Sequence, residues 1–238
     1  MQDFNKYSKE QIQFYGGPIP PLLTELIKEN DFKSLADFGC GDGAILFGLQ
    51  QKGLLENVDD VIAVDLSPIR LDRVKQNIAN IKTICGDVCC VTGIEGNKLD
   101  FVICSQVIEH VQDDTKLLRE IYRVLKTGGM MYISSVIKKW YGWYFYRCNG
   151  KWVVDPTHLR EYTSAQKFHA LLKKNEFTIL KQKLTRFKPS LGNAFNRRLI
   201  KCGIVDEGKA KEFKILRSLS RLRIPVPGYY ITEAIAQK

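Results

Sequence analysis

A doubly wound α/β fold, with helices on both faces of a mostly parallel sheet, is predicted by three features of this 238-residue chain. Short apolar runs alternate with amphipathic helical patterns over the first 137 residues, which is the rhythm of consecutive βαβ units. A Gly-rich turn, Asp37-Phe38-Gly39-Cys40-Gly41-Asp42-Gly43, joins the first strand to the next helix. Further acids follow the second and third strands, at the rim where such sheets bind their ligands.

The elements follow in order. Ser34–Phe38 (SLADF) reads as the first strand and Ala44–Gln51 as the helix after the turn. Asp60–Asp65 (DVIAVD) is a short apolar run, a buried strand. Ser67-Pro68 then opens a helix, with Ser as N-cap and Pro at the first helical position. Its apolar residues Ile69, Leu71, Val74 and Ile78 share one side. Lys82–Cys85 and Asp100–Cys104 are the next two strands. Asp113–Lys126 places Leu117, Leu118, Ile121, Val124 and Leu125 at helical spacing. Thr127-Gly128-Gly129 reads as its stop, ahead of a strand at Met130–Val136. The rhythm then breaks. Residues 138–162 are aromatic and irregular, Ala165–Lys174 is helical, and Thr178–Leu184 is a strand. Two basic helices are expected over 193–221, and Tyr229–Ala236 (YYITEAIA) closes the chain as a strand.

Composition narrows the class. A hydrophobic share of 45% excludes a disordered polyelectrolyte. No run approaches the roughly 20 apolar residues that span a bilayer, and the start, MQDFNKYSKEQIQ, lacks the apolar core of a secretory signal. The expectation is a cytoplasmic protein. Its seven cysteines (Cys40, Cys85, Cys89, Cys90, Cys104, Cys148, Cys202) form no CxxC pair, so reduced thiols are expected. The formal charge is +10, but unevenly spread. Residues 1–137 hold 14 Lys/Arg against 19 Asp/Glu, whereas 138–238 hold 22 against 7. The 181–223 segment alone has 13 against 3. Such asymmetry suggests contact with RNA, an anionic membrane surface or an anionic substrate. Solvated lysines on helix backs are the plain alternative.

The turn at 37–43 is informative once its surroundings are read. Glycines permit positive φ and close backbone approach, and the helix behind them offers unpaired N–H groups. Alone this would equally suit a dinucleotide. Asp65 ends the second strand, where a carboxylate can accept both hydroxyls of a ribose, and Gly86-Asp87 follows the third. Acids on three neighbouring strand ends suit a ligand with cationic and hydroxyl donors, and suit a pyrophosphate poorly.

These segments resemble the class I S-adenosylmethionine-dependent methyltransferases, in their small-molecule, type 11-like branch. The resemblance rests on DFGCGDG at 37–43, VIAVDLS at 61–67, CGDV at 85–88, LDFVICSQVIEHV at 99–111 and LLREIYRVLKTGGMMYIS at 117–134. It implies a Rossmann-like seven-stranded sheet of order 3-2-1-4-5-7-6 whose last strand is antiparallel. It implies S-adenosyl-L-methionine as cofactor. Asp37 would approach the amino-acid end, with Gly39, Cys40, Gly41 and Gly43 passing close by. Asp65 would hold the ribose hydroxyls, and Leu66 would touch adenine. Asp87 would accept from the adenine amino group beside Val88, and Ser105 and Gln106 would lie near the methionine moiety. The chain then reads as one domain over 1–238. Residues 1–136 are its cofactor-binding half, 137–228 a substrate-side lid or insertion, and 229–236 the closing strand.

The acceptor is less determined. Similar D-P-x-H-x-R-x-Y segments follow the fifth strand in small-molecule members, and here His158 could act as a general base and Arg160 grip an acidic group. The alternative is that both pin the loop by hydrogen bonds. His110 lies in an Glu-His-Val segment that is commonly structural in the family. No second Glu/His group sits near it in sequence, so no metal is expected. Trp140–Tyr146 has six aromatics in seven residues, readable as a lid, an interfacial patch, a base-stacking surface or plain core. The expected function is methyl transfer to oxygen of a small-molecule or lipid-linked, anionic acceptor. RNA methylation through 181–223 and a non-catalytic cofactor-binding subunit are the alternatives.

Overall fold

A computed structural model describes residues 18–143, 146–148, 151–153, 155, 157–189 and 223–238. Seven strands form one sheet: β1 (Ser34–Phe38), β2 (Asp60–Asp65), β3 (Lys82–Cys85), β4 (Leu99–Ser105), β5 (Leu125–Lys138), β8 (Thr178–Arg186) and β9 (Tyr229–Gln237). Their spatial order is β3-β2-β1-β4-β5-β9-β8. The first five are parallel, and β9 runs against both β5 and β8. Numbered within the sheet this is 3-2-1-4-5-7-6 with the last strand antiparallel, as the resemblance implied. β6 (Tyr146–Cys148) and β7 (Lys151–Val153) form a separate antiparallel hairpin inside the segment expected to be irregular.

The alternation of side chains along a strand sorts the core into two layers. Ala36, Phe38, Val102, Cys104, Met131 and Ile133 point to one face. There they pack with Leu117, Leu118, Ile121 and Val124 of a helix over Asp114–Val124 and with Phe168 and Leu172 of another over Ala165–Lys174. Leu35, Val61, Ala63, Phe101, Ile103 and Tyr132 point to the other face. Three helices cover them: α1 (Pro21–Glu29), α2 (Ala44–Gln51) and α3 (Pro68–Asn77). The two on the first face are α4 (Asp114–Val124) and α5 (Ala165–Lys174). Asp37 and Asp65 continue the odd-numbered side of β1 and β2, so both carboxyls emerge on one face of neighbouring strands.

The helix starts read from sequence carry their caps. Ser67, Asp113 and Ser164 accept from the N–H of Arg70, Lys116 and Lys167. Three boundaries differ. α1 precedes every element read from sequence; Pro21 opens it and Leu22, Leu23, Leu26 and Ile27 bury one side. α4 ends at Val124, not Lys126, because Leu125 already pairs with Leu99 in the sheet. Gly128-Gly129 therefore lies within β5, beside the register shift between Leu99 and Phe101, and is no helix stop. A Cβ on Gly129 would come within 2.9 Å of the Lys126 carbonyl oxygen. The basic helices expected over 193–221 lie outside the described residues.

Two polar contacts fasten the sheet. One oxygen of Asp100 accepts from the Lys33 and Ser34 amides and the Ser34 hydroxyl, joining the start of β1 to β4. In the closing pair, the Tyr132 hydroxyl of β5 donates to Glu233 of β9 at 2.8 Å, with both residues buried. Burial and the adjacent carboxylate both push that phenol upward. Removing one partner of a buried pair leaves the other desolvated and unmatched. Tyr132→Phe is thus expected to lower stability by about 2 kcal/mol, read as a lower urea midpoint at unchanged m-value.

Candidate cofactor and acceptor site

The Gly turn is held by backbone bonds and close packing. Gly39 and Cys40 both donate to the Val64 carbonyl, at 2.8 and 3.0 Å, so the turn leaves β1 while still tied to β2. Gly39, Gly41 and Gly43 have φ of 71°, 57° and 79°, the left-handed region that favours glycine. At Gly39 a Cβ would meet Val107 at 2.5 Å. At Gly43, which caps α2 without a side chain, it would meet Ile78 and Val74 of the α3 region at 2.9 Å. The turn can therefore lie flat beneath a ligand. Cys40 is buried in the core layer, its thiol pushed upward by burial and then by Asp37 and Asp65.

Asp65 organises this turn. One carboxylate oxygen accepts from the Gly41 N–H and the other from the Ser67 N–H, each at 2.9 Å. Burial raises its pKa, and these two amides partly offset the rise. Asp37 differs. It is only 2% exposed, and among the described residues no donor reaches its carboxyl. Burial, and then the charge of Asp65, hold it well above the usual carboxylate range. A buried acid without a donor is costly unless a cation or donor arrives. Asp42 plays no such part: fully buried, it pairs with Arg73 of α3 at 3.0 Å.

The remaining expected contacts spread along the same rim. Leu66 is exposed just past β2. Asp87 is exposed past β3 and accepts from the Cys89 N–H at 2.8 Å, which leaves its second oxygen open to a ligand donor. Val88 is buried in the α4-side core with Val91 and Ile94. Ser105, the last residue of β4, and Gln106 just past it both bond the Ser134 hydroxyl of β5, at 3.1 and 3.2 Å. Gln106 has a φ of 57°, which turns the chain sharply at the strand end. The unpartnered Asp37, the glycine-lined floor and the half-open Asp87 fit S-adenosylmethionine, whose ammonium, ribose and adenine amino group are donors.

Beyond β4 the chain builds a second polar centre. Glu109, fully buried, accepts from the Ser135 hydroxyl at 3.0 Å, and burial lifts its pKa to about 6. His110 packs edge-on against His158 with ring centroids 4.7 Å apart. Burial first, then His158, push the His110 pKa down to about 4. The His158 side chain is 4% exposed, with Nδ1 lying 3.8 Å from Glu161. The Arg160 guanidinium, expected to grip an acidic substrate group, instead donates to the carbonyls of Ile108, Val111 and Gln112. These are the loop-pinning contacts that the sequence left open as its alternative. Glu109, Thr157 and Asp155 were not singled out as site residues by sequence, although Glu109 is adjacent to His110 and the other two flank Pro156. Glu109, His110 and His158 also bring one ligand atom each within 4.8 Å of one another, a spacing that could hold a metal ion. His158 returns to His110 across 48 residues, so no local pattern signals that grouping.

Comparisons with known proteins agree with this geometry. A family model described as a methyltransferase domain matches residues 36–133. A ubiquinone biosynthesis O-methyltransferase of Bartonella tribocorum is 24% identical over 202 residues, covering 80% of this chain and 76% of that protein. A solved S-adenosylmethionine-dependent methyltransferase of Methanosarcina mazei superposes with a TM-score of 0.62 at 14% identity, over 93% of this chain and 99% of its own. The cyclase SpnF superposes equally, with a TM-score of 0.62 at 18% identity, over 99% and 90%. At such identities the superpositions establish the fold, and the fold serves more than one chemistry. The family match runs from within β1 to within β5 and includes Asp37, Asp65 and Asp87 with the glycines of the 39–43 turn. Residues 36–133 thus form a class I S-adenosylmethionine-dependent methyltransferase domain, and S-adenosylmethionine is the cofactor of this enzyme.

Proposed function

We propose that this enzyme methylates an oxygen of a small, anionic, lipid-linked acceptor in the cytoplasm, as one domain in which residues 137–228 cover the acceptor and 1–136 hold the cofactor. The relationship to a protein named as an O-methyltransferase supports the choice of oxygen. The carrying observation is a hydrogen-bond chain that ends on a neutral histidine. Thr157 donates both its N–H and its hydroxyl to one oxygen of Asp155, at 2.8 and 2.6 Å. Burial alone would raise Asp155, but the Thr157 donors and the two imidazoles outweigh it, so Asp155 is ionised and only accepts. With its single proton committed, the Thr157 oxygen must accept at 2.9 Å from His110 Nδ1. The ring proton therefore sits on Nδ1, and Nε2 is left as the basic nitrogen.

When bound, the cofactor supplies a methyl group already activated by its sulfonium. The protein has then to orient the acceptor and remove a proton. A hydroxyl needs that removal, whereas a neutral amine does not. In this reading His110 takes the proton through Nε2, His158 packs against it, and Arg160 fixes the loop that carries it. His158 as the base itself is the competing assignment.

Labelled methyl should appear in a lipid or small-metabolite fraction as an ether, and transfer confined to RNA would contradict this reading. His110→Gln should lower kcat about 100-fold or more at unchanged cofactor affinity; a full loss in His158→Ala alone would move the base to His158. Because His110 is protonated only below about 4, wild-type turnover should not fall as pH drops through the ordinary histidine value near 6.5. Finally, Asp37→Asn should weaken S-adenosylmethionine binding at least about tenfold. It should do so without lowering the melting temperature, since it removes a buried acid that lacks a donor.

A further inference from the structure

Along one rim of the sheet lie three exposed aromatics and three cations that have no acidic partner among the described residues. β5 and β8 both run against β9, so they are parallel to each other, and Lys138 and Arg186 end them at the rim that carries Asp37 and Asp65. Past β5 the chain turns through Trp140, Tyr141 and Trp143. Trp140 is 95% exposed, and the other two are half-exposed. The turn is built, not loose. Lys139 donates to the Gly228 carbonyl at 2.8 Å, and Gly142 lies so near Gly228 that a Cβ there would fall 2.4 Å from it. Tyr141 bonds Tyr230, which pairs with Arg186 across the sheet. At and beyond the end of β8, Arg186, Lys188 and Arg223 line a shallow groove with Phe187 and Ile231. Among the described residues none of these three cations has an acidic partner, whereas Lys33, Arg73, Lys82, Arg123, Lys126, Lys138 and Lys181 each do.

We propose that this rim docks on an anionic phospholipid surface. The unpaired Arg186, Lys188 and Arg223 would meet lipid phosphates, and the indoles of Trp140 and Trp143 would enter the headgroup layer, where amphipathic rings are favoured. Ile224, half-exposed beside Arg223, adds an aliphatic contact that a nucleic acid would not reward. Among the described residues no helix is long and apolar enough to cross a membrane, so attachment is by surface contact. The rim holding the cofactor acids would then face the bilayer, and an acceptor dissolved in the membrane would reach it without crossing water. Docking goes beyond the methyl-transfer reading and does not depend on it, because it needs no turnover.

The test is sedimentation of the full chain with vesicles of phosphatidylcholine alone or mixed with phosphatidylglycerol. The expected result is binding to the anionic vesicles only, weakening as salt rises. Arg186→Glu/Lys188→Glu should reduce partitioning at least about tenfold. Trp140→Ala/Trp143→Ala should reduce it too, and should abolish the blue shift of tryptophan fluorescence on binding. Retained S-adenosylmethionine affinity will show that both variants are folded. Absence of binding to anionic vesicles, or variants that bind as the wild type does, would overturn the proposal. So would binding to an RNA homopolymer that the same variants lose while vesicles are ignored.

Discussion

The double acceptance by Asp65 is the interaction on which the site depends. Its two oxygens hold the Gly41 and Ser67 amides, so one side chain sets both the Gly turn after β1 and the start of α3. The cost is a buried carboxylate, which those amides partly repay. Because β1 and β2 are adjacent and parallel, Asp37 lies on the same face as Asp65 and feels its charge. The turn is thereby stable without a ligand while one acid is left unsatisfied. Preorganisation and stored cost sit on different residues.

This division explains how a mildly acidic half and a strongly basic half coexist. Some acids of the first half converge on the cofactor rim, as Asp37 and Asp65 do, and others are matched, as Asp42 is by Arg73 and Asp100 by Lys126. Some cations of the second half are also matched: Lys138 by Glu161, and Lys181 by Glu29 of α1. Net charge alone therefore overstated the free positive surface. Arg186, Lys188 and Arg223, at the end of β8 and the start of the closing segment, are among the cations that no acid of the described residues matches.

The sheet was legible because its signals are local. Five apolar runs, the Ser67 cap and the Gly turn each declare themselves within ten residues, and the strand order followed from the family resemblance. The cofactor acids were legible for the same reason, since each sits at the end of a recognisable strand. α1 escaped because its nine residues carry no capping side chain. Gly128-Gly129 misled because a glycine pair reads alike as a helix stop and as an irregularity in a strand. The His110–Thr157–Asp155 chain and the Glu109 burial were not legible, because they join segments 47 residues apart. The same holds for Arg160, whose carbonyl partners come from the loop after β4.

Titration calorimetry of S-adenosylmethionine into the wild type and Asp65→Ala tests the central claim most directly. The account predicts saturable one-to-one binding to the wild type. It predicts no measurable binding to the variant, whose circular dichroism should keep the α/β signature of the intact sheet. Equal affinity in the two proteins would contradict it.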